Sequence, residues 1–518
     1  MREGWFRISG WNLHGSCAAT DAEASARCRR SGLRATVRVE RQDVIDAILS
    51  QHGEQLSSFA ANRLADRQPH LSARSLSSTR RRYAIAGMAI LLVALAAFWP
   101  AMAKAAALVA FPVLFLAVSA LKLASAVATP RVTMPAGPRL SDEDLPVYTV
   151  LVPLFGETSV LPQIIGSLKA LNYTADKLDV KIIVEESDGP TREMARQLVP
   201  GAGFDIITVS PGKPQTKPRA LNLALMFARC DLVTIYDAED IPQPMQLRLA
   251  AQCFAAAPPE VACLQARLAY YNSNENWLTR QFTIEYASLF DLMLPLLARL
   301  GWPLPLGGTS NHFCHEALKA AGGWDAWNVT EDADLGLRLA RLGYRCEVLN
   351  STTFEEANCR LGNWLHQRAR WLKGWMQTWL VIMGSPVSAW RSMGTQGFLA
   401  AQVMMAGMIG SALLHPVFLV MLLYDQVFAA PEVYSEAEQL HRTIALLVLA
   451  AGYASAMLAG LRALHIRRLH PLMPSVLTMP VYWLLISAGG WLALWQLVRA
   501  PFHWNKTRHG ISRVFGKS

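Results

Sequence analysis

The chain has 518 residues, of which 52% are hydrophobic and only 17% are charged. Soluble domains usually carry about a quarter of charged residues, so this composition excludes an ordinary soluble protein and implies membrane-embedded segments. The formal net charge is +10. Membrane proteins accumulate Lys and Arg on their cytoplasmic side, and this tendency explains the positive charge. We therefore exclude nucleic acid as a partner.

The N-terminal region, residues 1–82, is polar, and we expect it to be cytoplasmic and partly disordered. Its first forty residues show no apolar periodicity. Residues 43–67 differ, because their apolar side chains recur at the spacing of an amphipathic helix.

Two apolar segments follow, at 83–99 and 105–127. Each is about long enough to cross a hydrocarbon core of roughly 30 Å as a helix. The basic run 80–82 precedes the first segment, which favours a cytoplasmic N-terminus. We therefore predict two transmembrane helices within 83–128.

The composition changes after the second segment. Short β-branched runs that end in polar residues alternate with helical stretches, which predicts a mainly parallel, Rossmann-like α/β sheet in a domain over 129–390. Ligands of such sheets bind beyond the carboxyl ends of the strands. The polar clusters that follow predicted strands are GE at 156–157, EESD at 185–188 and DAED at 237–240.

The acids of DAED, which are Asp237, Glu239 and Asp240, allow two interpretations. A strand-end turn with a capping carboxylate would explain them without any ligand. Alternatively, carboxylates two residues apart point the same way from an extended chain and can hold Mg²⁺ together with a diphosphate. Lys217 and Arg219, just upstream, are either a solvated charge run or the cations that bracket that diphosphate.

The segment VTEDADLGLRL predicts the start of a helix. Thr330 is the expected N-cap, with Glu331 and Asp332 in the first turn, where acids are stabilised by the helix dipole. Capping accounts for both acids, but a carboxylate placed there can also act as a general base on a hydroxyl.

The segment HQRARWLKGW combines cations with aromatic residues. On a helix, Trp364, Gln367, Trp371 and Trp375 fall on one stripe, with Arg370 beside it. The stripe is either ordinary core or membrane-interface packing, or a sugar platform in which the indole of Trp371 meets the acceptor and Arg370 meets the diphosphate.

The order and spacing of these motifs over about 147–390 resemble the family 2 glycosyltransferases, in the membrane-embedded branch of cellulose, chitin and hyaluronan synthases. That branch carries a strand-end acid, then DxD, TED and QxxRW. The first acid would be Glu185 or Glu186, where the family usually has Asp, and Glu239 stands in place of the second Asp of DxD. The resemblance implies a GT-A-type fold.

The resemblance also implies roles for individual residues. Asp332 would be the catalytic base of an inverting transfer, and Asp237 with Glu239 or Asp240 would hold Mg²⁺ or Mn²⁺. The nucleotide-sugar donor, expected to be a UDP-sugar, would be bound by Glu157, Glu185, Glu186, Lys217, Arg219, Asp237 and Arg370. The acceptor would be bound by Thr309, Asn311, Glu331, Gln367 and Trp371.

The C-terminal part of the chain has three more apolar candidates, at 398–424, 443–461 and 472–498. We assign 391–500 to transmembrane and interface helices and 501–518 to a cytoplasmic tail. The tail resembles the gating segment of the family, through Trp504, Lys506 and Thr507. A cytoplasmic tail requires an even number of crossings, so we expect the second half of 472–498, rich in tryptophan, to lie in the interface.

The leading hypothesis is a multi-pass inner (plasma) membrane enzyme, with its catalytic domain in the cytoplasm, that elongates a glycan and exports it through its own helices. Its partners would be the nucleotide sugar, the growing glycan, the bilayer and export proteins. A single-transfer enzyme acting on a lipid-linked acceptor is the alternative enzyme. A non-catalytic scaffold for polysaccharide export is the alternative outside enzymes.

Overall fold

A computed structural model of the chain describes residues 5–8, 11–14, 41–79, 83, 87, 90–91, 94–95, 97–130, 132–134, 139–199, 203–428, 435–504, 506–507 and 509–513. The chain divides into two compact units, Met1–Ile48 and Leu49–Ser518.

The first unit contains a two-stranded antiparallel ribbon of β1 (Trp5–Ile8) and β2 (Trp11–His14). The aromatic residues of these two segments favour strands, and the partial disorder expected for residues 1–82 stays a prediction. The rest of the first forty residues lies outside the described residues. The predicted helix over 43–67 forms as α1 (Arg41–Arg67).

The second unit is built on one eight-stranded sheet with the order β5-β4-β3-β6-β9-β8-β10-β7 among the described residues. Strands β3, β4, β5 and β6 are parallel, as are β8 and β10, whereas β9 and β7 run antiparallel to their neighbours. The predicted α/β class is confirmed. The strands are β3 (Tyr148–Leu154), β4 (Leu178–Glu185), β5 (Phe204–Val209), β6 (Leu232–Ile235), β7 (Ile241–Pro242), β8 (Val261–Tyr270), β9 (Asn311–Cys314) and β10 (Arg345–Glu355).

Helices of the second unit cover the sheet and continue into the apolar segments. They are α2 (Pro100–Val127), α3 (Leu161–Lys169), α4 (Gly189–Leu198), α5 (Lys217–Leu225), α6 (Gln246–Ala256), α7 (Trp277–Ser288), α8 (Leu294–Leu300), α9 (His315–Ala320), α10 (Glu331–Arg341), α11 (Leu361–Met383), α12 (Pro386–Phe428), α13 (Glu436–Ile466) and α14 (Met479–Arg499). A π-helical turn joins α7 to α8 at Leu289–Met293, and 3-10 helices occupy Pro69–Leu71, Ala73–Ser77 and His470–Thr478.

The core lies where the central strands meet helices α3, α4 and α6. Val150, Val152, Ile182 and Val184 are fully buried and belong to one apolar cluster with residues of those helices. Strands buried on both faces read as continuous apolar runs, which is why the sequence pattern identifies them. The sheet is therefore rigid at the carboxyl ends of β3, β4 and β6, where the polar clusters begin.

Four described segments are long and apolar enough to cross a membrane, judged by length and composition: Val109–Val127, Pro386–Met421, Gln439–Ile466 and His470–Arg499. They overlap the predicted apolar segments at 105–127, 398–424, 443–461 and 472–498. The basic run 80–82 and most of the predicted span 83–99 lie outside the described residues.

Helix α14 lies along α11. The ring of Tyr482 is 5.3 Å from that of Trp364, and a Cβ on Gly489 would come within 3.0 Å of Arg368. Beyond the end of α14, Lys373 Nζ donates to the carbonyls of Ala500, at 3.4 Å, and His503, at 2.7 Å. Since α14 lies within His470–Arg499, which is apolar enough to cross a membrane, its expected interfacial position stays a prediction.

Candidate active site

The residues after β3, β4 and β6 meet at one edge of the sheet, because these strands are parallel neighbours. Glu157 follows β3, Glu185 ends β4, and Asp237 and Glu239 follow β6. All four line one large cavity. The acids that the sequence placed at one edge of the sheet therefore do lie there. The contacts of each side chain show how these acids differ.

Glu185 and Arg219 form a buried pair. The Nη2 of Arg219 donates to both carboxylate oxygens of Glu185, at 2.9 and 2.8 Å. Burial raises the pKa of Glu185, and Arg219 opposes that shift. Glu186, in contrast, is exposed and does not line the cavity. Of the two candidates for the strand-end acid, only Glu185 thus reaches the site.

Arg219 does not line the cavity, although the sequence suggested that it contacts the diphosphate. Its guanidinium is completely buried, and its Nε and Nη1 have no hydrogen-bond partner among the described residues. Lys217, two residues earlier, does face the cavity, forms an ion pair with Asp237 and donates to the carbonyl of Gly308 at 2.7 Å. Burial would lower the pKa of Lys217, but Asp237 and Glu331 raise it above its ordinary value.

The three acids of DAED have three different surroundings. Asp237 and Glu239 line the cavity, and Glu239 Oε1 lies 2.9 Å from His509 Nδ1. Asp240 is fully buried and accepts from the Asp237 backbone N at 2.8 Å and from the Thr309 hydroxyl. Asp240 therefore braces the loop from inside and does not reach the cavity, which leaves Glu239 as the partner of Asp237.

Asp237 and Glu239 fit a divalent cation as a two-carboxylate site. Their side chains are 29% and 11% exposed and face the same cavity. Mg²⁺ takes one or two protein carboxylates and completes its shell with water and phosphate oxygens. Such an ion would hold the diphosphate and offset its charge.

The TED segment supplies a second pair of acids at the cavity. Thr330 precedes α10 as predicted, but its side chain makes no capping bond, and its backbone N donates to Asn328 Oδ1 at 3.0 Å. Burial raises the pKa of Asp332, against the opposing effect of Lys217 and Arg370. Burial and the neighbouring Asp332 raise the pKa of Glu331 to about 7. A carboxylate with a raised pKa is a stronger proton acceptor once it is ionised.

Helix α11 presents Gln367, Arg370 and Trp371 to the cavity. Burial lowers the pKa of Arg370, while Glu331 and Asp332 oppose the shift. The indole of Trp371 stacks on the ring of Tyr286, with centroids 6.1 Å apart and an interplanar angle of 28°. These three side chains come together as the sequence predicted.

Arg368 and Glu285 form an ion pair that the sequence did not suggest. Arg368 donates to both oxygens of Glu285, each at 2.7 Å, and to Tyr482 at 3.0 Å. Its guanidinium also lies 4.9 Å from the ring centroid of Trp371. Arg368 therefore holds the indole from behind and ties α11 to α7 and α14.

Of the two predicted acceptor residues in the loop before and at the start of β9, only Thr309 reaches the site. Thr309 lines the cavity and bonds Asp240. Asn311 is 1% exposed and donates through Nδ2 to the carbonyl of Gly307 at 2.6 Å, so it shapes the loop and does not line the cavity. Gly308 leaves room for the Asp332 carboxylate, because a Cβ at position 308 would come within 3.3 Å of Asp332 Oδ2.

The described residues of the C-terminal tail, 501–504, 506–507 and 509–513, lie near the carboxyl edge of the sheet. Lys506 Nζ lies 3.0 Å from Glu157 Oε1 and donates to the carbonyl of Gly156 at 2.9 Å. Trp504 lies beside Arg370, whose guanidinium carbon is 5.8 Å from the ring centroid. Thr507, the third predicted gating residue, is buried and lines the same cavity.

Two tail contacts were missed by sequence reasoning. Burial would lower the pKa of His509, but Glu239 and Glu157 raise it to about 9. Glu356 accepts backbone N–H groups of the tail, from Ile511 at 2.9 Å and Ser512 at 2.6 Å, as well as from Gly510. His509 lies within the tail that resembles the gating segment, but sequence reasoning did not single it out there, and Glu356 belongs to none of the motifs that the sequence suggested.

The cavity has a volume of about 1260 Å³ and extends beyond the catalytic side chains. From Asp237 and Asp332 it continues past Trp371 and reaches residues of α2, α12, α13 and α14. A donor, an acceptor and part of a membrane-embedded ligand could therefore occupy one continuous space.

Comparison with known proteins identifies matches over the same region. The model of "Glycosyl transferase family group 2" matches residues 232–494, about half of the chain, and that of "Glycosyl transferase family 2" matches residues 149–313.

Among curated proteins, the chain is 27% identical to a beta-monoglucosyldiacylglycerol synthase of Synechocystis sp., over 50% of this chain and 55% of the relative. It is also 27% identical to glucomannan 4-beta-mannosyltransferase 2 of Arabidopsis thaliana, over 40% of each chain. The chain thus spans about half the length of these relatives. Among solved structures, a Pyrobaculum calidifontis mannosyltransferase in complex with GDP-Man and Mn²⁺ aligns with a TM-score of 0.46 and 18% identity, covering 76% of this chain and 98% of that one.

Proposed function

Because the chain belongs to glycosyl transferase family group 2, we propose that it is an inverting, metal-dependent membrane glycosyltransferase. It takes a sugar from a nucleotide donor, a UDP-sugar in our proposal, and adds it to a glycan at the membrane. The observation that carries this proposal is the meeting of Lys217, Asp237, Asp332, Arg370 and Trp371 around one cavity.

Donor binding is assigned to the carboxyl edge of the sheet. Asp237 and Glu239 would hold Mg²⁺ or Mn²⁺, which supplies positive charge to the diphosphate. Lys217 and Arg370 add cationic groups on the same cavity, so the charge that develops on the leaving nucleotide would meet preorganised cations. Glu185 and Glu157 complete the donor side.

Acceptor activation is assigned to Asp332. An acceptor hydroxyl lying on Trp371 would lose its proton to the Asp332 carboxylate as its oxygen attacks the anomeric carbon in line with the departing diphosphate. Attack from the face opposite to the nucleotide inverts the anomeric configuration. Glu331 and Gln367 are proposed to hydrogen-bond the acceptor sugar.

Polysaccharide elongation is the first candidate for the whole reaction. It is supported by the QRARW segment at the acceptor side, by the continuity of the cavity with the membrane helices, and by the similarity to a glucomannan mannosyltransferase. The growing chain would leave through this space, in the inner membrane, with the catalytic domain in the cytoplasm. Export proteins would then receive it.

A lipid-linked acceptor is the second candidate, and one observation favours it. The wall of the cavity between the membrane helices is mainly apolar, with Val403, Met404, Val448 and Leu449 among its residues. Such a wall suits a hydrocarbon chain better than a hydrated glycan. A beta-monoglucosyldiacylglycerol synthase is among the relatives.

The test is to incubate the purified full-length protein in lipid with several nucleotide sugars and Mg²⁺ or Mn²⁺, and to size the products. Long polymer supports the first candidate, and addition of one sugar to lipid supports the second. Asp332→Asn should lower turnover by about a hundredfold or more, because a general base contributes 10²–10⁴ in rate, while UDP binding is retained. No turnover with any donor would leave the scaffold hypothesis.

A further inference from the structure

A lysine faces the cavity from a membrane helix. Lys122 lies in α2, within the segment Val109–Val127 that is apolar enough to cross a membrane. Its Nζ lies 4.8 Å from the ring centroid of Trp483, and in the part of the chain that the structure describes no side chain or carbonyl accepts a hydrogen bond from it. Ionisable side chains in membrane segments are costly, so they usually serve a ligand or a pathway.

A second polar side chain, His415, also packs against the indole of Trp483. His415 of α12 is 8% exposed, and its ring centroid is 6.1 Å from that of Trp483. Its Nε2 lies 2.8 Å from the Tyr453 hydroxyl, whereas its Nδ1 is buried and has no partner among the described side chains. When Tyr453 donates to Nε2, the proton of the neutral ring is on Nδ1, which leaves an N–H without an acceptor.

The other polar groups nearby already have partners: Glu285, whose charge acts on Lys122, is bonded to Arg368 and Tyr482, and the serines bond within their own helices. The hydroxyls of Ser119 and Ser125 donate to backbone carbonyls at 2.7 Å each, and that of Ser487 does so at 3.0 Å. The remaining wall above Lys122 is apolar, through Phe115, Val118, Met408 and Phe418. This part of the cavity therefore offers an ammonium and an imidazole N–H within a hydrocarbon-like wall.

Lys122 lies near one end of the apolar segment Val109–Val127. It lies five residues before Val127, where α2 ends, which at 1.5 Å per residue is about 8 Å from the helix end. A ligand that places an anion there and an apolar chain beyond it is amphipathic. A sugar polymer does not combine an anionic group with an apolar chain in this way.

We propose that Lys122 and His415 bind the phosphate group of a membrane lipid whose hydrocarbon chain lies along the apolar wall of the cavity. Trp483 and Tyr453 hold the two donors in position, one through its ring face and the other through its hydroxyl. The site goes beyond the transfer reaction, and it rests on the proposed membrane location but not on catalysis.

The test uses the purified full-length protein and counts bound lipid by native mass spectrometry. Phosphatidic acid should be retained in preference to a diacylglycerol with the same chains. Lys122→Met, which keeps the length of the side chain, should weaken phosphatidic acid binding by about tenfold or more, since charge-assisted hydrogen bonds contribute at least 1.5 kcal/mol. His415→Phe should weaken it severalfold.

Lys169→Met is the matched control, because Lys169 is an exposed lysine of the catalytic domain, and it should bind lipid as the wild type does. UDP binding, measured in each preparation, shows that a variant has folded. Equal binding of diacylglycerol overturns the proposal, and so does unchanged binding in folded Lys122→Met.

Two competitors identify the source of the anion. Displacement of the lipid by inorganic phosphate at an equal concentration would point to a free anion, and displacement by an acidic oligosaccharide would point to a glycan; either result overturns the lipid assignment. If no donor is turned over but Lys122-dependent lipid binding is found, the proposed function fails and this site stands.

Discussion

Three arginines near the cavity differ in burial and in partners: Arg219 and Arg368 are buried, and Arg370 is partly exposed. Arg219 is bonded to Glu185, and Arg368 is bonded to Glu285. A buried cation without a counter-ion is strongly destabilising, so these two pairs are structural requirements. Arg370 has no hydrogen-bonded carboxylate within the described ranges, faces the cavity and is therefore available to a phosphate.

The Glu185–Arg219 pair can be tested by breaking it from one side. Glu185→Gln should lower the thermal unfolding midpoint by about 6 °C, because the lost charge leaves buried Arg219 unpaired at a cost of about 3 kcal/mol. The double variant Glu185→Gln/Arg219→Met should recover much of this loss. Equal unfolding midpoints for Glu185→Gln and the wild type, measured by differential scanning fluorimetry, would show that the pair adds no stability.

At the level of elements, the site depends on the contact between α10 and α11. Gly374 of α11 lies against Thr330, and a Cβ at this glycine would come within 2.6 Å of Thr330 Cγ2 and 2.7 Å of its Cβ. Real Cβ atoms do not approach so closely, so any side chain would push the two helices apart. Their spacing sets the position of Glu331 and Asp332 relative to Arg370.

Gly374→Ala should therefore reduce turnover by about tenfold or more and cost about 1–3 kcal/mol of stability through overpacking. Gly362→Ala is the matched control, because Gly362 begins the same helix and a Cβ there meets nothing within 4 Å. Turnover should be compared with UDP binding in both variants. Full activity of Gly374→Ala would mean that the helix spacing does not control the base.

The C-terminal tail is a second element whose docking depends on charge. His509 has an ordinary pKa of about 6.5 when free, and the docked state raises that pKa to about 9 through the neighbouring Glu239. The ion pair therefore adds its full contribution to docking below pH 6.5, and the contribution is lost as the pH rises through about 9.

Trypsin cleavage after Lys506, which is paired with Glu157 when the tail is docked, should report this loss. We expect cleavage there to accelerate severalfold from about pH 7 to about pH 9, relative to cleavage after exposed Lys319 in the same sample. His509→Gln should cleave rapidly at both values. A pH dependence that persists in His509→Gln would assign the effect to another group.

At the scale of the whole molecule, one cavity links soluble chemistry to the membrane helices. Its floor is the carboxyl edge of the sheet, its side is α11, and its upper wall is made by α2, α12, α13 and α14. Either proposed acceptor, a glycan or a lipid, has to use the upper part, whereas the donor needs only the floor.

A bulky side chain in the upper part of the cavity should therefore reduce sugar transfer without changing donor binding. Gly452 of α13 lines the cavity, and a Cβ there would find only Ser119 Oγ, at 3.6 Å. Gly452→Phe should reduce sugar transfer by about tenfold or more with UDP binding unchanged. Ala450→Phe is the control, since Ala450 is exposed on the same helix. Equal transfer in the two variants would exclude an acceptor route past Gly452.

The order of the motifs, the α/β class and the apolar helices followed from the sequence by itself, because periodicity, segment length and strand-end acids are local properties of the chain. Only the tertiary structure decided that Glu185 and not Glu186 turns inward, that Asp240 is buried behind Thr309, and that Arg219 faces Glu185 and not the cavity. It also joined distant residues, His509 to Glu239 and Glu356 to the tail backbone. The orientation and partner of a side chain depend on contacts between segments far apart in the chain, and no local pattern encodes them.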